Sequence, residues 1–493
     1  MENNKKRKII TISLICAIVA LLALIISLIV ARVIQLQNAP APVPTPTGPM
    51  PTEQINEPSM IEVREKGKTE PLDSIEIIEG NTIELEAYCD KEINGLSYTF
   101  EIDEPTIAIM EGSILKALSA GQAFLSVSCN EYSSLAIDII INVKDRVAQK
   151  GVGDGTSPES PIFIGNEGSL EPLEIYYIEV SKTYADAVYI KKGLFDILID
   201  AGTAEDGMHV KEFVESHMED KTLDLVMVSH AHDDHYGGVS KVLEAVDNVS
   251  LFLDYGGDSQ NSYTEARDAF VARGSKHFGA YDCANELNDA VKKWYLTKDL
   301  TCEILNTGNY IKQNGSAQNP QSVAAIFEYK DFSYFTAGDL TTSAETDLLK
   351  YEELQPVSLY KASHHGSHGS NSIELLNALD PYCIGISAAI TGDPNGQNDG
   401  IKGHPAGAAV QRFFQAPRIS RSHNVYWNGV NGDMCFTTYG GATDISFKGS
   451  PTRKGYYYQD ELGNKVKAVG EENKKFSETI LFKLRGYEEY LIA

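Results

Sequence analysis

The spacing of apolar and polar residues changes character several times along this chain. From Ile9 to Val30 there is no polar period: 22 successive residues carry no charge, against the ~20 that cross a bilayer as a helix. Lys5, Lys6, Arg7 and Lys8 precede the run, so the positive-inside rule keeps this tail in the cytoplasm and exports the remainder of the chain. The run is longer than the apolar core of a secretory signal (about 7–15 residues), and no A-x-A-like cleavage site comes after it. An uncleaved single-pass anchor over residues 1–37 is expected. Residues 38–60 are rich in proline and read as an extended, semi-rigid linker.

From Ile61 to Val143 the period becomes two. Ile83-Glu84-Leu85-Glu86-Ala87 and Phe124-Leu125-Ser126-Val127-Ser128 alternate, and Ile137 to Val143 is a further strand candidate. Short runs of this kind separated by Gly, Asn and Asp predict a small β-sandwich over 61–145. A linker (146–172), Gly/Ser/Pro-rich from Gly151 to Pro161, leads into a larger domain, 173–445. There strands at Glu174–Val180, Ala187–Lys191 and Phe195–Asp200 give way to a helix at Val210–His217 and a buried strand at Leu223–Val228. Such alternation predicts an α/β fold. Residues 446–493 are polar and rich in Tyr and Lys, and read as a C-terminal extension with a late hairpin and helix.

Composition alters this picture in two respects. Apolar content of 42% and charge of 23% are ordinary, but the formal net charge is −27. A surface of that sign argues against gripping nucleic acid through a basic face. Of seven cysteines, Cys16 lies in the anchor and six are exported, with no C-x-x-C pair. A cysteine zinc site is therefore not expected, whereas disulfides are permissible outside the cytoplasm.

The chemistry concentrates where the buried strand ends, at His230-Ala231-His232-Asp233-Asp234-His235. Two histidines two residues apart on an extended segment can share one cation. The turn after them presents Asp234 and His235 to a neighbouring one. Carboxylate and imidazole donors suit Zn²⁺ or Mn²⁺, with open positions left for water. Gly237-Gly238 is expected to let the backbone turn into a helix beneath the site.

H-x-H-x-D-H after an apolar strand resembles the signature of the metallo-β-lactamase superfamily. The resemblance extends to Leu198-Ile199-Asp200-Ala201-Gly202, in which Asp200 is expected to support a turn or a ligand. It includes Tyr334-Phe335-Thr336-Ala337-Gly338-Asp339, where Asp339 would bridge two metals, and Lys361-Ala362-Ser363-His364-His365-Gly366-Ser367. One of His364 and His365 would bind the second metal; on a strand end the two would point opposite ways. With Asn319-x-x-Ser322 and Gly403-His404-Pro405, the pattern is similar to the hydrolase domain of ComEC-type competence proteins and to cell-surface phosphorylcholine esterases. This implies an αββα sandwich binding two divalent ions. A third histidine for the first metal is missing, unless His277 supplies it; otherwise His277 is an exposed loop residue. Glu104 to Val127 resembles a bacterial immunoglobulin-like (group 2) domain, a spacer or cell-wall contact. In the 61–145 sandwich Cys89 and Cys129 fall on separate predicted strands, in positions that could face one another and form a disulfide.

The resemblance implies hydrolysis by a metal-bound hydroxide, with Asp234 orienting the water and His404 contacting substrate or protonating the leaving group. A phosphodiester leads as substrate: a wall polymer, a phosphocholine-type ester or DNA. Two other readings remain open, a hydrolase of a non-phosphate substrate such as a β-lactam, and a non-catalytic surface scaffold or adhesion protein on a degenerate fold. The expected location is the bacterial cell surface.

Overall fold

The computed structural model describes residues 58–91, 93, 95–144, 151–164, 171–180, 185–257, 261–311, 318–390, 403–453, 455–460 and 462–491. The anchor expected over 1–37 and most of the proline-rich linker lie outside them. Among the described residues no helix is long and apolar enough to cross a membrane.

Strands β1 (Ile61–Glu65), β2 (Ser74–Ile78), β3 (Thr82–Cys89), β4 (Tyr98–Ile102), β5 (Ala108–Glu111), β6 (Ile114–Ala117), β7 (Gly121–Cys129) and β8 (Ala136–Lys144) form two four-stranded sheets. Their orders are β1-β3-β6-β5 and β2-β8-β7-β4. On β7 the alternation sends Ala123, Leu125, Val127 and Cys129 into a common core with Leu85, Leu115, Ile139 and Ile141, as the two-residue period of a pleated strand requires. The disulfide anticipated between Cys89 and Cys129 is not formed. The two cysteines lie in different sheets and have other partners: the Tyr98 hydroxyl donates to the Cys89 sulfur at 3.5 Å, and the Cys129 thiol to Glu131 at 3.7 Å.

After a two-residue pair, β9 (Gly151–Val152) with β10 (Phe163–Ile164), come the strands of two larger sheets. The first contains β11 (Leu173–Tyr177), β12 (Ala187–Lys192), β13 (Phe195–Ala201), β14 (Thr222–Val228), β15 (Asn248–Asp254) and β16 (Lys276–Gly279). The second contains β17 (Lys293–Tyr295), β18 (Leu300–Ile304), β19 (Ala325–Tyr329), β20 (Phe332–Thr336), β21 (Leu359–Lys361), β22 (Cys383–Ile386) and β23 (Val425–Trp427). The chain then returns to the first sheet with β24 (Met434–Thr438) and β25 (Ser446–Gly449), giving the order β16-β15-β14-β13-β12-β11-β24-β25. The second sheet runs in sequence from β17 to β23.

Side chains of both sheets meet in one core, where Tyr177 of β11 lies edge-on to Tyr334 of β20. Helices α1 (Gly207–His217) and α3 (Val239–Leu243), with the single turn α2 (Asp233–Tyr236) between them, cover the first sheet through Val210, Val214, Val239 and Val242. Helices at Thr342–Tyr351, Ile373–Leu379 and Gly407–Gln415 cover the second through Leu348, Leu375, Leu376, Val410 and Phe413. The layers are helix, sheet, sheet, helix. Within each sheet four strands are parallel, β13 to β16 and β20 to β23. Parallel strands buried on both faces read as near-continuous apolar runs; β13 and β14 are buried along almost their whole length, with Asp196, Asp200 and Asp224 as buried charged exceptions. Candidate residues come directly after the carboxyl ends of β14, β20 and β21, the usual place for a site in such sheets.

Gly237 and Gly238 serve close packing, not turning. Both have helical dihedrals, and a Cβ on Gly238 would lie 2.2 Å from the Ala201 carbonyl oxygen. Replacing Gly238 with Ala therefore forces the start of α3 off β13 and should destabilise the protein by about 1–3 kcal/mol or more, read as a lower midpoint of denaturant unfolding.

Candidate metal centre

Strand β14 carries Ser229 and His230 off its end into a fully buried position. Asp200, in the left-handed region at φ 54, clamps this turn: its carboxylate accepts from the Ser229 amide at 2.8 Å and the Ser229 hydroxyl at 2.7 Å. The same carboxylate is 2.8 Å from Nδ1 of His235, which lies on α2 and is buried. A carboxylate on Nδ1 fixes the proton there and leaves the Nε2 lone pair outward. Asp200 is thus a supporting carboxylate, as its motif implied.

Asp339 comes after β20 through Gly338 at φ 47, where a Cβ would lie 2.6 Å from that of Ser229. Its amide donates to Ser322 Oγ at 3.1 Å. Its Oδ1 is 3.2 Å from His235 Nε2 and 3.3 Å from His365 Nε2. Asp234 Oδ2 is 3.5 Å from His365 Nε2 and 3.9 Å from His235 Nε2. A tetrahedral ion with bonds of about 2.0–2.1 Å holds its ligands roughly 3.3 Å apart. Moreover, His235 Nε2 and Asp339 Oδ1 are buried and face each other without hydrogen-bond geometry. Two imidazoles and two carboxylates around one point fit a divalent cation.

Among the described residues, Asp186, His235, Asp339 and His365 also place ligand atoms within 4.8 Å of one another, a grouping that has Asp186 in place of Asp234. Asp186, however, faces the Nδ1 atoms: Oδ1 is 3.2 Å from Nδ1 of His365 and Oδ2 is 3.8 Å from Nδ1 of His235. It stands behind the rings, so Asp234 is the better fourth donor.

A second pair of donors lies alongside. His230 Nε2 and His232 Nδ1 are 3.0 Å apart, and His232 Nε2 is 2.8 Å from Gln318 Oε1. His277 does not join them. It sits on β16, not on a loop, with Nε2 2.9 Å from buried Asp254 and 3.4 Å from Arg267. The Asn319/Ser322 element does reach the site, Asn319 Nδ2 lying 3.3 Å from His364 Nε2.

His364 and His365 depart most from expectation. They do not end a strand; β21 stops at Lys361, and both histidines adopt left-handed conformations, at φ 52 and φ 53. The turn sends both rings toward Asp339 instead of to opposite sides. His364 Nε2 is 3.4 Å from Asp339 Oδ2, while His365 takes Oδ1. His404, beyond them, has its ring 5.6 Å from that of His364 and 6.0 Å from that of His365.

Electrostatics divides the histidines. Burial opposes charge on His235, but Asp339 and Asp200 prevail and raise its pKa to about 10. His365 is likewise raised, burial being outweighed by Asp339 and Asp186. Burial dominates at His230 and His364, which are lowered, and takes His404 to about 4. The motifs did not single out Asp186, and the Lys361-to-Ser367 element included Lys361 without giving it a role. Their signal is a charged residue inside an apolar strand or at its edge, as in Ala185-Asp186-Ala187 and Leu359-Tyr360-Lys361.

The profile of the Metallo-beta-lactamase superfamily matches residues 182–251, a stretch that holds Asp200 and the whole of His230 to His235. The chain carries a metallo-beta-lactamase superfamily domain. The resemblance to this superfamily therefore stands, and the chain is also similar to a ComEC-type protein. ComE operon protein 3 of Bacillus subtilis (strain 168) is 24% identical over 168 residues, which are 34% of this chain and 20% of that protein. The chain thus spans about a fifth of that relative's length. Among solved structures, the metallo-beta-lactamase fold protein YhfI of Bacillus subtilis is 9% identical with a TM-score of 0.34, covering 52% of this chain and 96% of that one. The short form of human tRNase Z is 11% identical with a TM-score of 0.28, over 44% and 92%.

In the metal-free metallo-beta-lactamase domain the raised pKa of His235 keeps its imidazole protonated at neutral pH. A cation entering the site must displace that proton. Affinity for Zn²⁺ should rise with pH up to about 10, with proton release on binding. Titration calorimetry in buffers of different ionisation enthalpy measures both.

Proposed function

We propose that this protein is a metal-dependent phosphodiesterase held on the outer face of a bacterial membrane. The observation that carries the reading is the set of four donors, Asp234, His235, Asp339 and His365, whose spacing suits one tetrahedral cation. His230 and His232 offer a second cation two nitrogens. Asp339 would serve as the shared carboxylate; its Oδ1 stands toward the complete set and its Oδ2 faces His364. Zn²⁺ suits these donors best, and Mn²⁺ is the alternative.

When bound, divalent cations lower the pKa of a water to about 7 and stabilise negative charge on phosphoryl oxygens. The protein supplies position. Asp234, whose side chain is 27% exposed, is the one ligand carboxylate that reaches solvent, and it orients the attacking water. His365 is the ligand of the histidine pair. His364 is 26% exposed and, steadied by Asn319, faces the substrate. His404, with a pKa of about 4, is uncharged at neutral pH and contacts a leaving-group oxygen through ring hydrogen bonding.

Two cations side by side suit in-line displacement at phosphorus, and the similarity to ComE operon protein 3 supports a phosphodiester over a β-lactam. The net charge of −27 favours small phosphodiesters over polyanions such as free DNA. In this reading Ile9 to Val30 anchors the chain. The sandwich is an immunoglobulin-like spacer that holds the hydrolase domain (173–445, extended by 446–493) away from the lipid surface.

Purified protein should hydrolyse bis(p-nitrophenyl) phosphate, lose that activity to a chelator and regain it with Zn²⁺ or Mn²⁺. Asp339→Ala should cost more than about 100-fold in turnover, since even partners behind a metal ligand cost 10–100-fold. Full activity in Asp339→Ala, or turnover indifferent to chelator, rules the assignment out. Turnover of nitrocefin but not of the phosphodiester would redirect it to β-lactams.

A further inference from the structure

Behind the histidine rings, on the side away from the cation position, lies a buried ion pair that no motif explains. Asp186 precedes β12 and Lys361 ends β21; the two are 0% and 1% exposed and form an ion pair. An ion pair so deep in an apolar core is expensive, because two charges leave water for one mutual contact. A well-packed apolar pair of similar volume would often hold the sheets together at least as well. Its presence calls for a role beyond stability.

Geometry indicates one. Asp186 Oδ1 is 3.2 Å from Nδ1 of His365, and the Ser387 carbonyl oxygen is 3.2 Å from the same nitrogen. The Ser387 carbonyl accepts the Nδ1 proton, the Asp186 carboxylate stands beside it as a counter-charge outside hydrogen-bond geometry, and Nε2 is left facing Asp234 and Asp339. His235 already has Asp200 at 2.8 Å and meets Asp186 only at 3.8 Å. Among described side chains, the carboxylate on His365 Nδ1 is thus Asp186, as Asp200 is for His235. The backbone of Asp186 adds to this: its amide donates to the Asp234 carbonyl at 3.1 Å, and its carbonyl accepts from the Gly202 amide at 2.7 Å. One residue therefore touches both metal-binding segments and the turn after Asp200. Lys361 lies three residues before His364 and balances Asp186 from within the same strand–turn unit.

We propose that Asp186, paired with Lys361, is the positioning residue that sets the ring orientation and tautomer of His365, and through it the affinity of the four-donor metal position. This rests on reading those donors as a metal site.

The full-length protein tests it through four forms: wild type, Asp186→Asn, Lys361→Met, and the two changes combined. Two quantities are measured on each, Zn²⁺ affinity and stoichiometry by competition with a chromophoric chelator, and the unfolding midpoint of metal-free protein. Asp186→Asn should weaken Zn²⁺ at one position by 10–100-fold and lower the midpoint, since Lys361 is left buried without its counter-charge. The combined variant removes both charges and should recover much of the midpoint while keeping the weakened affinity. Wild-type affinity in Asp186→Asn overturns the proposal. So does a combined variant in which affinity recovers together with stability, because the pair would then be purely structural. If Asp186→Asn does not fold, the combined variant still separates the two quantities. Wild-type protein that binds no Zn²⁺ would overturn the metal-site reading itself.

Discussion

Asp339 is a carboxylate that water barely reaches, and the surroundings of the site act to keep it ionised there. Its two oxygens divide the site, one toward His235 and His365 and the other toward His364. Burial alone would push its pKa up; His365 and His235 hold it well below the ordinary carboxylate range. Those imidazoles are themselves backed by Asp200 and Asp186, and Asp186 by Lys361. Charge alternates outward from Asp339 in layers. Each layer is tolerable in a low-dielectric interior only because the next one is present.

The two sheets are what make this alternation possible. Parallel strands bring their carboxyl ends to one edge, so Asp200, His230, Asp339 and the His364–His365 turn converge from segments far apart in sequence. Contacts between neighbouring strand ends then fix relative height: the Ser229 amide on Asp200, the Asp339 amide on Ser322, and the His364 amide on the Gly338 carbonyl at 2.9 Å. None of these depends on a long surface side chain, so the cradle is preorganised by backbone amides and short buried side chains.

Much of this is legible in the chain. The strands read at Phe195–Asp200 and Leu223–Val228 coincide with β13 and β14, because buried parallel strands leave a largely apolar signal even where Asp196 and Asp224 interrupt it. His230 to His235 and Asp339 are legible because they sit where such runs stop. The hidden part depends on three-dimensional neighbours. Asp186 looks like the polar start of a strand until the Nδ1 atoms of two distant histidines are placed beside it. The glycine pair after His235 has the local pattern of a flexible turn, but the demand there is for room against the Ala201 carbonyl, which no local pattern records. The histidine pair after Lys361 has the local pattern of a strand end, since left-handed conformations are rare for residues with a Cβ and composition does not announce them.

That histidine turn also bears on how the site can drift in evolution. Outside glycine, the left-handed region is most readily occupied by Asn, Asp and His, and β-branched or bulky residues are strained there. His364 and His365 both occupy it. A backbone filter and a chemical filter therefore overlap at these two positions: nearly every substitution the main chain tolerates, glycine apart, brings another side chain with oxygen or nitrogen donors. Neutral change at this turn would tend to alter which cation or substrate atom is preferred before it removed the capacity to hold one.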